Sequence, residues 1–310
     1  MLLNYGPRLI LGPFIFRESK VGIATQTQIV SIGSSVPLCD TVFTVHSTFE
    51  RVANLLYSGG IVSVVMEDIG GGPNNIVING FNFLNLKEAQ IINDELVLND
   101  TKIFLPQASK YDSMIKLDAS KKTTFLSGLQ IFERVLVKHA HPLSSVFLLD
   151  DRRKSFFITP FEKNLKNQLD AGVTEILNGQ LSSISKLKGI GLGFTPQGDD
   201  LINGMLLAIY VYQLLTNYST AHIRKEIYRL ARCKNVISDT FLYFSAKGEF
   251  FERFKNLIHA FFQDKESIIN ATMQLLAIGE TSGADIGTGF ILASKEAFKK
   301  STNGGVLIWQ

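Results

Sequence analysis

The text that most constrains this chain is written twice. Residues 189–208 read GIGLGFTPQGDDLINGMLLA, and residues 279–293 read GETSGADIGTGFILA. Aligned on their final alanines, Gly198 lies over Gly283, Asp200 over Asp285, Gly204 over Gly289, Leu207 over Leu292 and Ala208 over Ala293. Upstream each copy carries Gly-x-Thr, at Gly193–Thr195 and Gly279–Thr281, and the second copy is one residue shorter between Thr and Gly. A glycine-rich stretch feeding an apolar one reads as a loop-to-helix junction, so the fold has to hold two equivalent junctions. Gly204 and Gly289 fall well inside their helices. They allow the two helices to cross closely and bring both N-termini to one place.

Residue types suggest what such a junction does. Thr195 is a good N-cap, and Pro196 suits the first helical position, where a missing N–H costs nothing. Gly191, Gly193 and Gly198 let backbone N–H groups approach a ligand without a Cβ in the way. A helix N-terminus adds unsatisfied donors and partial positive charge, the ingredients of an anion site. Asp199 and Asp200 pull the other way. Carboxylates beside an anion are tolerated if a cation such as Mg²⁺ bridges them, or if one of them accepts a proton. The bland alternative stands beside this one, since first-turn aspartates also serve as dipole and capping devices and glycine loops also merely turn corners. The second copy has Ala284 where the first has Asp199, so only one carboxylate is paired between copies.

The rest of the chain reads as α+β, a β-rich N-terminal part followed by a mostly α-helical C-terminal part. The expected division is a β-rich domain over 1–115 and a mainly helical domain over 116–310 that carries both junctions. Alternation in VGIATQTQIVSI (21–32) predicts a strand. Asn79–Gly80 and Asn99–Asp100 each sit between apolar runs and predict hairpin turns. Within this region HSTFERVANLLYSGG (46–60) has apolar residues at 49, 52, 55 and 56, a helical spacing ended by Gly59–Gly60. Farther on, Phe125, Leu129, Phe132 and Leu136 line one helix face, Ile223, Ile227, Leu230 and Ala231 another. Phe250, Phe251, Phe254, Leu257, Ile258, Phe261 and Phe262 form a wide stripe. SVFLLDDRRKSFFITP (145–160) suggests a hairpin turning at Asp151–Arg152.

Composition excludes several classes. Hydrophobic residues are 45% of the 310 and charged residues 19%, which marks a well-buried globular chain with room for an obligate interface. The net charge is only +3, and no stretch concentrates Lys and Arg among aromatics, so nucleic-acid binding has no footprint here. The apolar run Leu201–Leu215 is too short for a membrane span and contains Asn203 and Gln213; it suits a core helix. MLLNYGPRLILGPF lacks the basic start and small-residue cleavage site of a signal peptide. Cys39 and Cys233 lack metal-type spacing and read as buried thiols in a reducing cytoplasm. His139 and His141, ahead of Pro142, read as surface histidines, and no metal site is expected. No Ser-His-Asp order or Cys-His pair suggests covalent catalysis, and no Gly-x4-Gly-Lys-Ser/Thr pattern supports a nucleotide site.

At the doubled text the chain resembles the AllH family, a subunit of oxamate carbamoyltransferase. Thr-Pro-x-Gly-Asp-Asp is the most specific element. TVHSTFERVANL (44–55) is similar to the family's His-Ser-x-Phe motif with its downstream Asn, and GGGPNNIVI (70–78) to its Gly-Pro turn. VISDTFLYFSAKGEF (236–250) is similar to its Ser-containing helix, and GETSGADIGTGFILA to its closing motif. The resemblance implies conversion of oxalurate and phosphate to oxamate and carbamoyl phosphate in anaerobic allantoin catabolism, beside partner subunits of a hetero-oligomer in the cytoplasm. Carried over by position, the site comprises Gly191, Gly193, Thr195, Pro196, Gly198, Asp199 and Asp200, joined by Thr281, Ser282, Gly283 and Asp285. His46, Ser47 and Asn54 are N-terminal candidates, with Ser238 behind them. Asp199, Asp200, Asp285 and His46 are the catalytic candidates; for His46 a helix-entry role is the alternative. The rival reading is an accessory subunit whose loops bind a partner chain or a regulatory ligand.

Overall fold

The computed structural model describes residues 27–302. The N-terminal stretch read for a signal peptide, and the part of the expected strand over 21–26, lie outside the described residues. The chain first lays down β1 (Ile29–Gly33), β2 (Thr41–Thr48), β3 (Val52–Tyr57), β4 (Gly60–Met66), β5 (Asn75–Ile78), β6 (Ala89–Ile92), β7 (Glu95–Leu98), β8 (Thr101–Phe104) and β9 (Ser109–Tyr111). They form one sheet in the order β8-β7-β6-β2-β3-β4-β5-β1-β9. Its core gathers Leu55, Ile76, Phe83, Ile91 and Leu96.

Hairpin chemistry works where both neighbouring edges are free to pair. Asn99 takes φ 50° and turns β7 into β8, as expected; Asn93 and Asp94, at φ 50° and 61°, do the same between β6 and β7. Asn79–Gly80 also turns, with Gly80 at φ 65°, but makes no hairpin. Both edges of β5 are already taken, by β4 in parallel and by β1. The chain therefore leaves the sheet into a 3₁₀ turn at Phe83–Asn85.

Residues 46–60 are not a helix. They are the end of β2, all of β3 and the start of β4, closed at one turn by the Phe49 N–H donating to Val52 O at 2.8 Å. β3 lies between β2 and β4, near the middle of the sheet, and Ala53, Asn54 and Leu55 are buried in succession. A strand covered on both faces shows no alternation, which left the spacing of 49, 52, 55 and 56 to imitate a helix.

Helices follow: α1 (Lys122–His139), α2 (Pro160–Leu177), α3 (Ile184–Leu187), α4 (Gln197–Thr216), α5 (Ala221–Ala231), α6 (Val236–Lys247), α7 (Glu252–Ala260), α8 (Lys265–Leu276) and α9 (Ser282–Thr302). The expected face of α1 is buried at Phe125, Leu129, Phe132 and Leu136. Residues 145–160 give 3₁₀ turns, Ser145–Leu148 and Asp151–Phe156, in place of the expected hairpin. Asp150 accepts from the Arg152 N–H and pairs with its guanidinium. Arg153 is buried and donates to Val137 O, Ala140 O and His141 O at the end of α1, which fastens the segment to a helix C-terminus. Cys233 is half-buried and Cys39 is exposed, in the loop before β2 rather than in a core.

At the centre of the second core α4 is buried on all sides, the condition under which a helix reads as apolar throughout. Among the described residues no helix is long and apolar enough to cross a membrane. α4 crosses α9 at backbone contact. A Cβ on Gly204 would stand 1.9 Å from Ile286 O, and one on Gly289 2.0 Å from Leu201 O.

The sheet and the helices are fastened through α7. The Gly71 N–H donates to Glu252 Oε2, and the Glu252 N–H donates back to Gly71 O at 2.9 Å. Tyr111 Oη donates to Phe250 O at 2.9 Å, and the Phe250 N–H to Ser113 O at 2.8 Å.

Candidate functional site

The repeated text is a repeated structure. In one junction the Gly198 N–H donates to Ile190 O at 2.8 Å; in the other the Gly283 N–H donates to Ile278 O at 3.0 Å. A Cβ on Gly198 would meet Leu187 O at 1.9 Å, and one on Gly283 would meet Leu275 O at 1.9 Å. Each long helix thus starts with its glycine against the end of the helix before it. Gly191 and Gly193 hold φ of 119° and 96°, which glycine adopts without strain. Thr195 is not the N-cap: α4 begins at Gln197, with Pro196 as the flanking residue and no side-chain cap. One residue too early to reach the first turn, the Thr195 hydroxyl instead meets the Ser282 hydroxyl of the other junction at 3.0 Å.

The three motif carboxylates part company. Adjacent residues on a helix point about 100° apart, and the crossing separates the third. Asp199 Oδ1 accepts from the Gly189 N–H at 2.7 Å and lies beside the Ser238 hydroxyl; burial raises its pKa. Asp285 is fully buried and its Oδ1 accepts from the Ser145 N–H at 2.6 Å; burial pushes its pKa to about 6. Asp200 is 4% exposed and faces a cavity of about 390 Å³. Burial, then the charge of Asp285, raises its pKa well above the carboxylate range, against the opposing help of the Ser282 and Thr195 hydroxyls. Its Oδ2 has no hydrogen-bond partner.

The cavity lies between the sheet and the two junctions. Asp200, Thr195 and Ser282 form one wall, with Asn203 and Ser245 hydrogen-bonded to each other behind them. The sheet supplies Asn54 and Ser63. Asn54 Oδ1 accepts from the Ser63 hydroxyl at 2.7 Å, and its Nδ2 donates to Ser47 Oγ at 3.0 Å. Ser47 in turn lies 3.1 Å from His46 Nδ1. His46 is exposed, at the irregularity where β2 pairing skips from Val45 to Ser47. A polar chain therefore runs from His46 at the surface to Asn54 at the cavity. Gly191, Gly193, Pro196, Gly198, Thr281 and Gly283 shape the junctions without lining the cavity, as do Asp199, Asp285 and Ser238. The N–H groups of Gly198 and Gly283 are taken by loop carbonyls, so they cannot cradle a phosphate.

Arg253 was not singled out in the sequence. It lines the cavity from α7, and its guanidinium donates to two carbonyls, Asp68 O at 2.6 Å and Gln274 O at 3.3 Å, rather than to a carboxylate. Burial and the nearby Arg51 charge lower its pKa. The one hint was its place as a cation in the phenylalanine-rich FFERF. Phe49 and Phe194 also line the cavity and meet edge-on at 5.1 Å, joining the β2–β3 turn to the glycine loop. Among the described residues no three His, Cys, Asp or Glu side chains gather where they could hold a metal ion. A Mg²⁺ ion would find neither Asp199 nor Asp285 beside Asp200 in the cavity wall.

Residues 187–294 match the AllH family. Its model is described as oxamate carbamoyltransferase subunit AllH, and the matched segment runs from the end of α3 into α9, taking in both junctions. The AllH match leaves the sheet outside its bounds, although Asn54 and Ser63 complete the cavity that the AllH segment opens onto. No solved structure matches the chain.

Proposed function

We propose that this chain is a subunit of an oxamate carbamoyltransferase and that its cavity takes part in converting oxalurate and phosphate to oxamate and carbamoyl phosphate, in anaerobic allantoin breakdown beside partner subunits. The family match supports the subunit role. The observation that carries the catalytic reading is Asp200, a buried carboxylate with an unpartnered oxygen in a cavity wall built by both junctions.

In the proposed reaction a phosphate oxygen attacks the carbamoyl carbon of oxalurate and the bond from that carbon to the oxamate nitrogen breaks. The proton of hydrogen phosphate ends on the departing nitrogen, so atoms and charge balance. A carboxyl group whose pKa is raised by burial and by the neighbouring Asp285 charge suits this relay: Asp200 gives its proton to the nitrogen and regains one from the phosphate side. Arg253, with no carboxylate bonded to it, is the group to hold the substrate carboxylate. Asn54, Ser63 and Ser245 offer the donors and acceptors that orient a small, planar, polar ligand.

The test is carbamoyl phosphate formation by the assembled complex carrying Asp200→Asn. The side chain keeps its shape and loses the transferable proton, and a drop of roughly a hundredfold or more is expected. Full activity in this variant overturns the catalytic reading and leaves the accessory-subunit role.

A further inference from the structure

The two junctions build two half-sites, and the chain itself fills one of them. Asp200 is approached by the threonine of its own junction, Thr195, and by Ser282, the residue before the glycine of the other junction. Asp285 is approached by its own Thr281 and by Gln197, which again precedes the other junction's glycine. The correspondence is residue for residue: Thr195 with Thr281, Ser282 with Gln197, Asp200 with Asp285.

What differs is the occupant. At Asp285 the segment Leu143–Ser145 enters, with Ser144 and Ser145 buried: the Ser145 N–H donates to Asp285 Oδ1 at 2.6 Å, while Gln197 Nε2 donates to Leu143 O at 2.9 Å. The half-site thus grips amide groups, taking an N–H with its carboxylate and giving an N–H to a carbonyl. At Asp200 no chain segment takes that place. Oδ2 is without a partner in both aspartates, but only Asp200 lines the cavity, which lies where the peptide segment lies at Asp285.

We infer that Asp200 accepts a hydrogen bond from the amide nitrogen of the ligand, in the manner shown by Ser145 at Asp285, so that a small carboxylate bearing a primary amide binds with its amide end at Asp200 and its carboxylate end toward Arg253. The inference deepens the reading of this cavity as the substrate site and rests on it. The orientation puts the nitrogen that leaves the carbamoyl carbon at the group proposed to protonate it.

Oxamate and pyruvate test this, because they differ only in an amide NH₂ against a methyl of nearly the same size. Binding of each to the full chain, in its complex with the partner subunits, is measured by calorimetry for the wild type and for Asp200→Leu. Pyruvate leaves Asp200 without its donor and is expected to bind roughly tenfold to a hundredfold more weakly than oxamate. In Asp200→Leu the two are expected to bind alike. Equal wild-type affinities overturn the orientation while leaving the cavity as the carboxylate site, and so does an oxamate preference that survives in Asp200→Leu. Because the wild-type comparison stands alone, it decides the inference even where the Asp200→Leu variant fails to fold. If neither compound binds the wild type, both the inference and the reading beneath it fall.

Discussion

Three aspartates drawn from one repeated text meet three environments, and their chemistry follows the environment. Asp199 clamps the glycine loop, Asp285 holds a peptide, and Asp200 faces open space. Burial lifts Asp285 from a free value of 3.8 to about 6, so the folded chain holds that proton more tightly than the unfolded chain does. Its contribution to stability is fullest below about pH 4, is lost as the pH rises through about 6, and is level above that. Asp285→Asn keeps an oxygen to accept the Ser145 N–H and removes the titration. The decline in unfolding free energy between pH 4 and 6 is therefore expected to shrink by on the order of 3 kcal/mol, measured by urea unfolding across that range. The sequence made these carboxylates conspicuous but did not say which one faces the cavity. That choice depends on helix phase and on the crossing, and Arg253 stayed hidden because nothing local marks a lone cation on a helix as a wall of a distant cavity.

Among the elements, the α4–α9 crossing was the most legible, since glycine within an apolar helix needs a reason and close approach supplies it. Gly204→Ala or Gly289→Ala would drive a Cβ to within about 2 Å of a carbonyl oxygen of the facing backbone. Overpacking costs about 1–3 kcal/mol and occasionally more. The upper end is expected here, because backbone yields less readily than a side chain, with a melting temperature lowered by several degrees. Gly193→Ala serves as the contrast. Open space surrounds that position and only its φ of 96° resists a side chain, so a loss of about 1–2 kcal/mol is expected in the same assay. The element that sequence misjudged was β3. A strand covered on both faces and a short stretch of helix share one apolar spacing, and sheet order is a long-range property. For residues 145–160 the deciding contact was Arg153 reaching back to the end of α1, again beyond local pattern.

In the molecule as a whole there are two cores, and the cavity borders the helical one: Leu207, Phe254 and Leu275 line it, while the sheet turns Val52, Asn54, Ser63 and Val65 to the cavity and the alternate residues Ala53, Leu55, Val62 and Val64 to its own core. One runs through the sheet up to Leu105 and the other begins at Ile115, and we take domains 1–115 and 116–310 as the proposed division. Glu252 spans the seam through its paired bonds to Gly71. Glu252→Ala is expected to cost roughly 1–3 kcal/mol. It should also speed hydrogen exchange in residues 70–75 while leaving exchange in α4 and α9 unchanged; equal protection in both regions would show that the latch does not join them. The order of a β-rich part before a helical part was readable from periodicity alone. The cavity was not, because its walls come from residues 49–75 on one side and from 194–286 on the other. That division of walls bears on how such a cavity can change over evolutionary time. The crossing that seats Asp200 is made by backbone against backbone and offers selection almost no side chain to exchange. The sheet wall instead presents side chains, Asn54, Ser63 and Phe49, which can be exchanged without the two backbones having to part. Descendants of this chain that acquire new ligands should therefore diverge first at the sheet wall and keep 198–204 and 283–289 nearly as they stand, which a panel of diverged sequences with measured ligand preferences would reveal.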